Sequence, residues 1–252
     1  MDKWVHLPKV ELHRHLEGSI SFGTLWELSE DLKDLSEEEA RKLALTYAPS
    51  SGLAAILETF WRGQKLMNTP ERIERITYEA CRDAAVDGVT ILELRYQPSF
   101  IQIGHSHLSF AVIHESVVQG VSRAEKDFPR LCVGLIGIIG RNLTKEIAEE
   151  TTNFILEHRE TFVGVDLANV EIGNCCKNFA PMFQRLHEAG VAITGSYKLV
   201  GAMLVRSDHS LSSSRRRRRP RNDKGRSGTP ARQAHWPRDS SGEVRKCDEL
   251  PP

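Results

Sequence analysis

A short segment near the N-terminus, LPKVELHRH over residues 7–15, most constrains what this chain can fold into. Its pattern is typical of a strand that ends in two histidines, His13 and His15. Because successive side chains of a strand alternate between its two faces, both imidazoles are expected on one side, close enough to share a metal ion. The spacing therefore predicts half of a zinc site at the end of the first strand.

Apolar strand patterns alternate with helical patterns through the first 194 residues. Early helices are expected over 22–31 and 36–47, the second with a capping box at Ser36. The later strands are expected over residues 89–96, 131–139 and 162–167, with a shortened one over 190–194. This order predicts an α/β fold with a parallel sheet, a TIM-type (β/α)₈ barrel truncated after about the fifth strand. An open doubly wound sheet is the alternative, although no glycine-rich phosphate loop follows the first strand.

Polar residues at the carboxyl ends of barrel strands are the usual catalytic candidates. Six residues have this position: His13, His15, Glu17, Arg95, Arg141 and Asp166. The two arginines are better explained as ion-pair partners at the rim than as catalysts. Asp166 is equally well explained as a residue that only orders the rim. The histidines His105, His107 and His114 follow in a loop and a helix, where we expect them to be solvated.

The longer segment LPKVELHRHLEGSI, residues 7–20, resembles the opening strand of the adenosine deaminase family of metal-dependent hydrolases. The resemblance implies a barrel fold and a zinc cofactor, with His13 and His15 as metal ligands. It also implies that Glu17 lies at the position that binds a substrate hydroxyl. A catalytic zinc takes three protein ligands and keeps one place for a water whose pKa it lowers. Two histidines are therefore an incomplete set.

A second stretch, VDLANVE over residues 165–171, resembles the Asp-Leu-Ala-Gly stretch of the same family. By this resemblance Asp166 and Asn169 are candidate substrate-binding residues. Asn169 replaces the glycine whose backbone approaches the purine. Because a Cβ and an amide now occupy space that glycine leaves open, we expect close contact with the base to be weakened.

The resemblance stops near Thr194. The family supplies its third histidine and its proton-transferring glutamate from a Val-His-Ala-Gly-Glu segment, but residues 195–199 here are GSYKL. A later Gly-His-Gly motif and an aspartate ligand are also missing from the sequence. The implied reaction is hydrolytic deamination of adenosine or a related aminopurine, and this chain is expected to perform it poorly. Adenosine, adenine and a methylated adenine nucleotide remain open as the ancestral substrate, and the catalytic residue is not assigned.

Charge divides the chain into two parts, an expected partial barrel domain over 1–194 and a basic low-complexity tail over 195–252. The tail holds 14 Lys+Arg and 6 Asp+Glu, a net charge of +8, whereas the first part carries −8. A non-enzymatic alternative is weak nucleic-acid binding through an arginine run, namely Arg215, Arg216, Arg217, Arg218 and Arg219. A disordered extension is the simpler interpretation. An out-of-frame origin is a third, since residues 232–239 back-translate so that the next frame encodes Gly-His-Gly.

Five scattered cysteines without metal-ligand spacing, in a chain that lacks a signal-peptide pattern, favour a reducing, cytosolic location. No apolar run approaches the roughly 20 residues that a membrane-spanning helix needs. We therefore expect no membrane partner and a small purine as the principal ligand.

Overall fold

The computed structural model describes residues 7–45, 53–170 and 174–194. Within these ranges one parallel sheet has the order β1-β2-β3-β4-β5. Its strands are β1 (Lys9–His15), β2 (Val89–Tyr96), β3 (Cys132–Gly140), β4 (Phe162–Ala168) and β5 (Ala192–Ile193). Each strand pairs with the next one along the chain, and helices connect them. The predicted parallel α/β architecture is confirmed over the five strands that the structure describes.

Eight α-helices and one 3₁₀ helix connect these strands within the described ranges. They are α1 (Phe22–Leu28), α2 (Glu37–Ala44), α3 (Leu53–Leu66), α4 (Pro70–Val86), α5 (Pro98–Ile101), α6 (Phe110–Asp127), α7 (Lys145–Glu157), the 3₁₀ helix (Cys176–Phe179) and α8 (Ala180–Glu188). None of them is long and apolar enough to cross a membrane. The cytosolic location stays a prediction.

Capping side chains explain where several helices begin. The capping box predicted at Ser36 is present, with the Ser36 hydroxyl accepting from the Glu39 backbone and the Glu39 carboxylate accepting from the Ser36 backbone. The first helix is shorter than predicted, because the backbone becomes extended at Ser29, whose N–H still bonds to Leu25. The predicted end of α2 at residues 46–47 lies outside the described residues.

The core lies between the sheet and its helices. Eight of the nine residues of β3 are buried, as expected for a strand covered on both faces. Gly137 in this strand allows close packing, since a Cβ there would lie 2.7 Å from the Cδ1 atom of Ile155 on α7. The described cysteines, Cys81, Cys132, Cys175 and Cys176, are free thiols.

One buried ion pair connects three of the strands. Arg95 on β2 is 2% exposed, and its Nη1 donates to Asp166 Oδ2 on β4 at 2.6 Å. Its Nη2 donates to the carbonyl oxygen of Leu12 on β1 at 2.7 Å. The second oxygen of Asp166 accepts from the backbone N–H of Leu167. Arg95 therefore holds β1 and β4 in a fixed relation to β2 at the carboxyl side of the sheet.

His114 lies in the core, so the expectation that it is solvated is wrong. It is 4% exposed, between the Tyr96 hydroxyl at 2.5 Å from Nδ1 and Thr161 Oγ1 at 2.7 Å from Nε2. Because the Thr161 hydroxyl donates to the His158 carbonyl, Nε2 of His114 carries the proton and Nδ1 accepts from Tyr96. Burial lowers the pKa of His114 from 6.5 to about 4.

The lowered pKa of His114 predicts a loss of stability in acid. Below pH 6.5 the unfolded chain protonates this side chain while the folded chain does not, so the free energy of unfolding falls until about pH 4. Between pH 7 and pH 4 the wild-type chain should lose about 3 kcal/mol more than His114→Gln. Urea unfolding at several pH values measures this difference, and parallel losses in the two proteins would contradict it.

Breaking the Arg95–Asp166 pair should be costly, because it leaves one charge buried without its partner. Arg95→Met is expected to lower the free energy of unfolding by about 3–5 kcal/mol, and adding Asp166→Leu should recover part of that loss. The control is Arg185→Met, which removes the half-exposed partner of Glu149 and should cost less than about 1 kcal/mol. Equal losses in the free energy of unfolding for Arg95→Met and Arg185→Met would show that the buried pair adds no more stability than the exposed one.

Candidate functional site

The two histidines of β1 lie together at its carboxyl end. The ring centroids of His13 and His15 are 5.3 Å apart, with planes inclined by 53°. A register irregularity lies between Glu11 and Arg14, where the His13 backbone N–H donates to Glu11 Oε1 at 2.9 Å. The rings open into a pocket of about 270 Å³. Its lining residues are Glu11, His13, Arg14, His15, Gly18, Ser19 and Phe60.

His15 is held in its neutral form. Its pKa is lowered from 6.5 to about 4, mainly by burial and then by the nearby His13 and Arg95. A neutral imidazole offers a nitrogen lone pair to a metal ion near pH 7. The ring of Phe60 on α3 packs edge-on against His15 at 5.3 Å and limits the positions that the imidazole can take.

The donor set around these rings is partial. Two neighbouring imidazoles fit a shared ion of the zinc type, which histidine nitrogens bind readily. No group of three or more His, Cys, Asp or Glu side chains with metal-site geometry exists among residues 7–45, 53–170 and 174–194. The position expected for a third ligand, just after Thr194, lies outside the described residues.

Glu17, two residues after His15 in the chain, is an unusual polar group. It is 2% exposed, and its Oε1 accepts the Gln97 backbone N–H at 2.7 Å. Its Oε2 is also buried and has no hydrogen-bond partner in the described part of the chain. Burial raises the pKa of this carboxyl group to about 7, although hydrogen bonds to the backbone oppose the change. Because a buried acceptor is costly to leave unpaired, Oε2 suits a ligand donor.

Close packing of α3 fixes the backbone at Glu17. A Cβ at Gly63 would lie only 2.1 Å from the Glu17 carbonyl oxygen, so a larger residue there would push the helix away. One turn earlier, Phe60 packs over Gly18, where a Cβ would lie 3.0 Å from the ring. The place of Phe60 beside the histidines was not predicted from the sequence.

Asp166 lies within electrostatic range of His15 and is directed at Arg95. Its negative charge raises the pKa of His15, opposing the larger effect of burial. Both of its oxygens already accept hydrogen bonds, one from Arg95 and one from the Leu167 backbone. This arrangement favours the rim-ordering interpretation of Asp166, and its contact with substrate stays a prediction. Arg95 is the ion-pair partner of Asp166, which agrees with the rim ion-pair interpretation given to it from the sequence.

Asn169 keeps the backbone conformation that a glycine would adopt. Its φ is +85°, the left-handed region that asparagine tolerates better than most residues. Its Oδ1 accepts the backbone N–H of Val170 at 2.8 Å. The turn is therefore compatible with the family's glycine position. The expected contact of Asn169 with the purine remains a prediction.

Two further residues bear on the site. Gln97, 7% exposed, joins β2 to Glu17, and its side chain lies over Gly140, where a Cβ would be 2.3 Å from Nε2. The sequence predicted a strand that ends at residue 96 and gave Gln97 no role. Arg141 follows β3 and is 4% exposed, with its Nη1 donating to the Asn174 carbonyl at 3.4 Å. The arginines at 215–219 lie outside the described residues.

Several known proteins are similar to this chain in sequence and in fold. The adenosine deaminase family pattern matches residues 8–196. The adenosine deaminase of Shewanella loihica is 30% identical over 193 residues, which are 75% of this chain and 57% of that protein. The structure of an Arabidopsis N6-mAMP deaminase is 30% identical with a TM-score of 0.65, covering 81% of this chain and 65% of the other. An amidohydrolase from Burkholderia ambifaria, solved with bound Zn, has a TM-score of 0.65 at 23% identity, covering 76% of this chain and 52% of the other.

The alignments cover only part of each of these proteins. The chain spans a little over half the length of the bacterial relative, and the match ends at residue 196, close to the boundary expected from the sequence. It nevertheless includes the whole parallel sheet and all of the candidate residues from His13 to Asn169. From this match over three quarters of its length, the chain belongs to the adenosine deaminase family.

Proposed function

We propose that this chain carries the first half of a site for zinc-dependent hydrolytic deamination of an aminopurine such as adenosine. The observation that carries the proposal is a buried carboxylate oxygen without a protein partner, Glu17 Oε2, two residues from a pair of adjacent imidazoles. An unpaired acceptor two residues along the chain from metal-binding donors suits a polar substrate that reacts with a metal-activated water. Family membership supports the reaction class.

His13 and His15 would hold the metal. When bound, zinc would supply a water of lowered pKa for attack on C6 of the purine ring, from which ammonia leaves. Glu17 Oε2 would accept a hydrogen bond from a substrate hydroxyl, while Gln97 keeps the other oxygen in place. Phe60 would cover one side of His15 and restrict access of water to the rings.

The proposal includes weak zinc binding and little turnover. A catalytic zinc normally has three protein ligands, and the described residues contribute two imidazoles. A proton-transferring glutamate of the family's kind is missing from the sequence after Thr194. The sequence therefore lacks the family's motif for moving protons between water and the leaving amine, a role that contributes about 10²–10⁴-fold in rate.

The substrate class is drawn from chemistry and from the relatives. The bacterial relative is an adenosine deaminase, and the Arabidopsis relatives include an N6-mAMP deaminase and a protein solved in complex with GMP. These relatives support a purine nucleoside or nucleotide with an amino group at C6 as the substrate. The alternative of nucleic-acid binding through the tail arginines finds no support in the comparisons.

A first prediction concerns zinc. The affinity of the chain for zinc should fall about tenfold or more in His13→Ala or His15→Ala, because each variant removes one of the two ligands. The chain contains a matched control, a second His-x-His at His105 and His107, whose ring nitrogens contact the carbonyls of Ile101 and Asn68. Competition with a colorimetric chelator measures the affinities. An equal loss of zinc affinity in His105→Ala would contradict a zinc site on β1.

A second prediction concerns Glu17. The change Glu17→Gln keeps an acceptor for the Gln97 backbone and replaces the free acceptor by an amide that donates. Binding of inosine should weaken by about tenfold, as expected when one hydrogen bond to a buried acceptor is lost. Calorimetric titration measures it, with the exposed Glu58→Gln as control. Unchanged affinity in Glu17→Gln would remove Glu17 from the substrate site.

A further inference from the structure

A second pocket, larger than the one beside the histidine rings, borders helix α3. Its volume is about 730 Å³, which lies in the range of small-molecule sites. Its walls come from side chains within residues 28–31, 58–66 and 68–72. We call it the α3 pocket, and the pocket beside His13 and His15 the histidine pocket. The two pockets have no lining residue in common.

Helix α3 lies between the two pockets. On one face of the helix, Phe60 packs against His15, and Gly63 lies against the Glu17 carbonyl oxygen. Because an α-helix turns by about 100° per residue, Lys65 projects from the opposite face, and it lines the α3 pocket. A ligand in the α3 pocket would therefore contact the back of the helix whose front packs against the candidate site.

Two cationic side chains at the α3 pocket, Lys65 and Arg72, form no ion pair within the part of the chain that the structure describes. The Nη1 atom of Arg72 donates to the neutral side-chain oxygen of Asn68 at 3.1 Å, and Lys65 is exposed. No bonded carboxylate among the described residues cancels either charge. Both side chains can therefore donate charge-assisted hydrogen bonds to an anion.

The acidic residues that line the α3 pocket do not balance these two cations. Asp31 is paired with Arg62 at 2.5 Å, and Glu30 is paired with Lys33. Glu58 is the third carboxylate among the described lining residues. The two cations without ion pairs thus outnumber this single carboxylate, which favours a ligand that carries negative charge.

The α3 pocket also offers an aromatic surface and an unsatisfied hydroxyl group. Trp61 is 41% exposed, and Phe100 packs edge-on against it at 4.7 Å, which restricts the orientation of the indole ring. Ser29 is only 4% exposed, and its hydroxyl has no hydrogen-bond partner among the described residues. Because a buried hydroxyl is costly to leave unpaired, it suits an oxygen atom of a ligand.

We propose that the α3 pocket binds a small aromatic phosphate, of the nucleoside monophosphate class. The ring stacks on Trp61, the phosphate accepts hydrogen bonds from Lys65 and Arg72, and the Ser29 hydroxyl donates to a ligand oxygen. This ligand site is additional to the one in the proposed function. It requires neither zinc nor the two histidines of β1, so it stands whether or not the chain is a deaminase.

Calorimetric titration of the full chain with adenosine 5′-monophosphate tests the proposal. In Lys65→Gln the affinity should fall about tenfold or more, because a charge-assisted hydrogen bond is lost. In Trp61→Leu it should fall about fivefold or more, because the stacking surface is lost. The matched control is Lys126→Gln, which changes another exposed lysine, on α6, and should leave the affinity unaltered. Equal affinities in Lys65→Gln and Lys126→Gln would overturn the proposal.

Two further titrations separate the α3 pocket from the histidine pocket. Adenosine, which lacks the phosphate, should bind the wild-type chain and Lys65→Gln equally well. Adenosine 5′-monophosphate should bind His15→Ala as tightly as it binds the wild-type chain at the α3 pocket. Binding that weakens in His15→Ala but not in Lys65→Gln would assign the nucleotide to the histidine pocket, which would overturn this proposal and leave the proposed function intact.

Discussion

The buried bond network of Arg95 is the interaction on which the rest of the structure depends. One guanidinium connects the Leu12 carbonyl on β1 with the Asp166 carboxylate on β4, from a strand between them. Leu12 immediately precedes His13, so this contact fixes the backbone that presents both imidazoles. The same positive charge helps to hold His15 neutral, and Asp166 limits that effect. Structural support and the electrostatics of the site thus come from the same residues.

Much of the fold could be predicted from local sequence pattern. Strands such as β3 are almost continuously apolar, and helices such as α2 begin with side chains that satisfy their own first backbone groups. Where prediction failed, the cause was tertiary. His114 appeared to be a polar residue on a helix, yet Tyr96 and Thr161, remote in sequence, satisfy both of its nitrogens in the core. No local pattern carries that information.

Some features of the candidate site could be predicted from local sequence, and others depend on tertiary contacts. The spacing of His13 and His15 along a strand was enough to predict that their rings lie together. The role of Gln97 in holding Glu17, and the place of Phe60 beside His15, depend on contacts between segments that are far apart in the chain. Asn169 is an intermediate case, because its sequence position indicated a lost glycine while the structure shows a glycine-like backbone with φ of +85°.

The central proposal is that this chain holds half of a family metal site, with His13 and His15 as its two imidazole donors. X-ray absorption spectroscopy of the zinc-loaded full chain tests it most directly, because it counts and identifies the ligands. The account predicts two histidine nitrogens at about 2.0 Å, with the remaining positions taken by oxygen. Three or more imidazoles, or cysteine sulfur at about 2.3 Å, would contradict it.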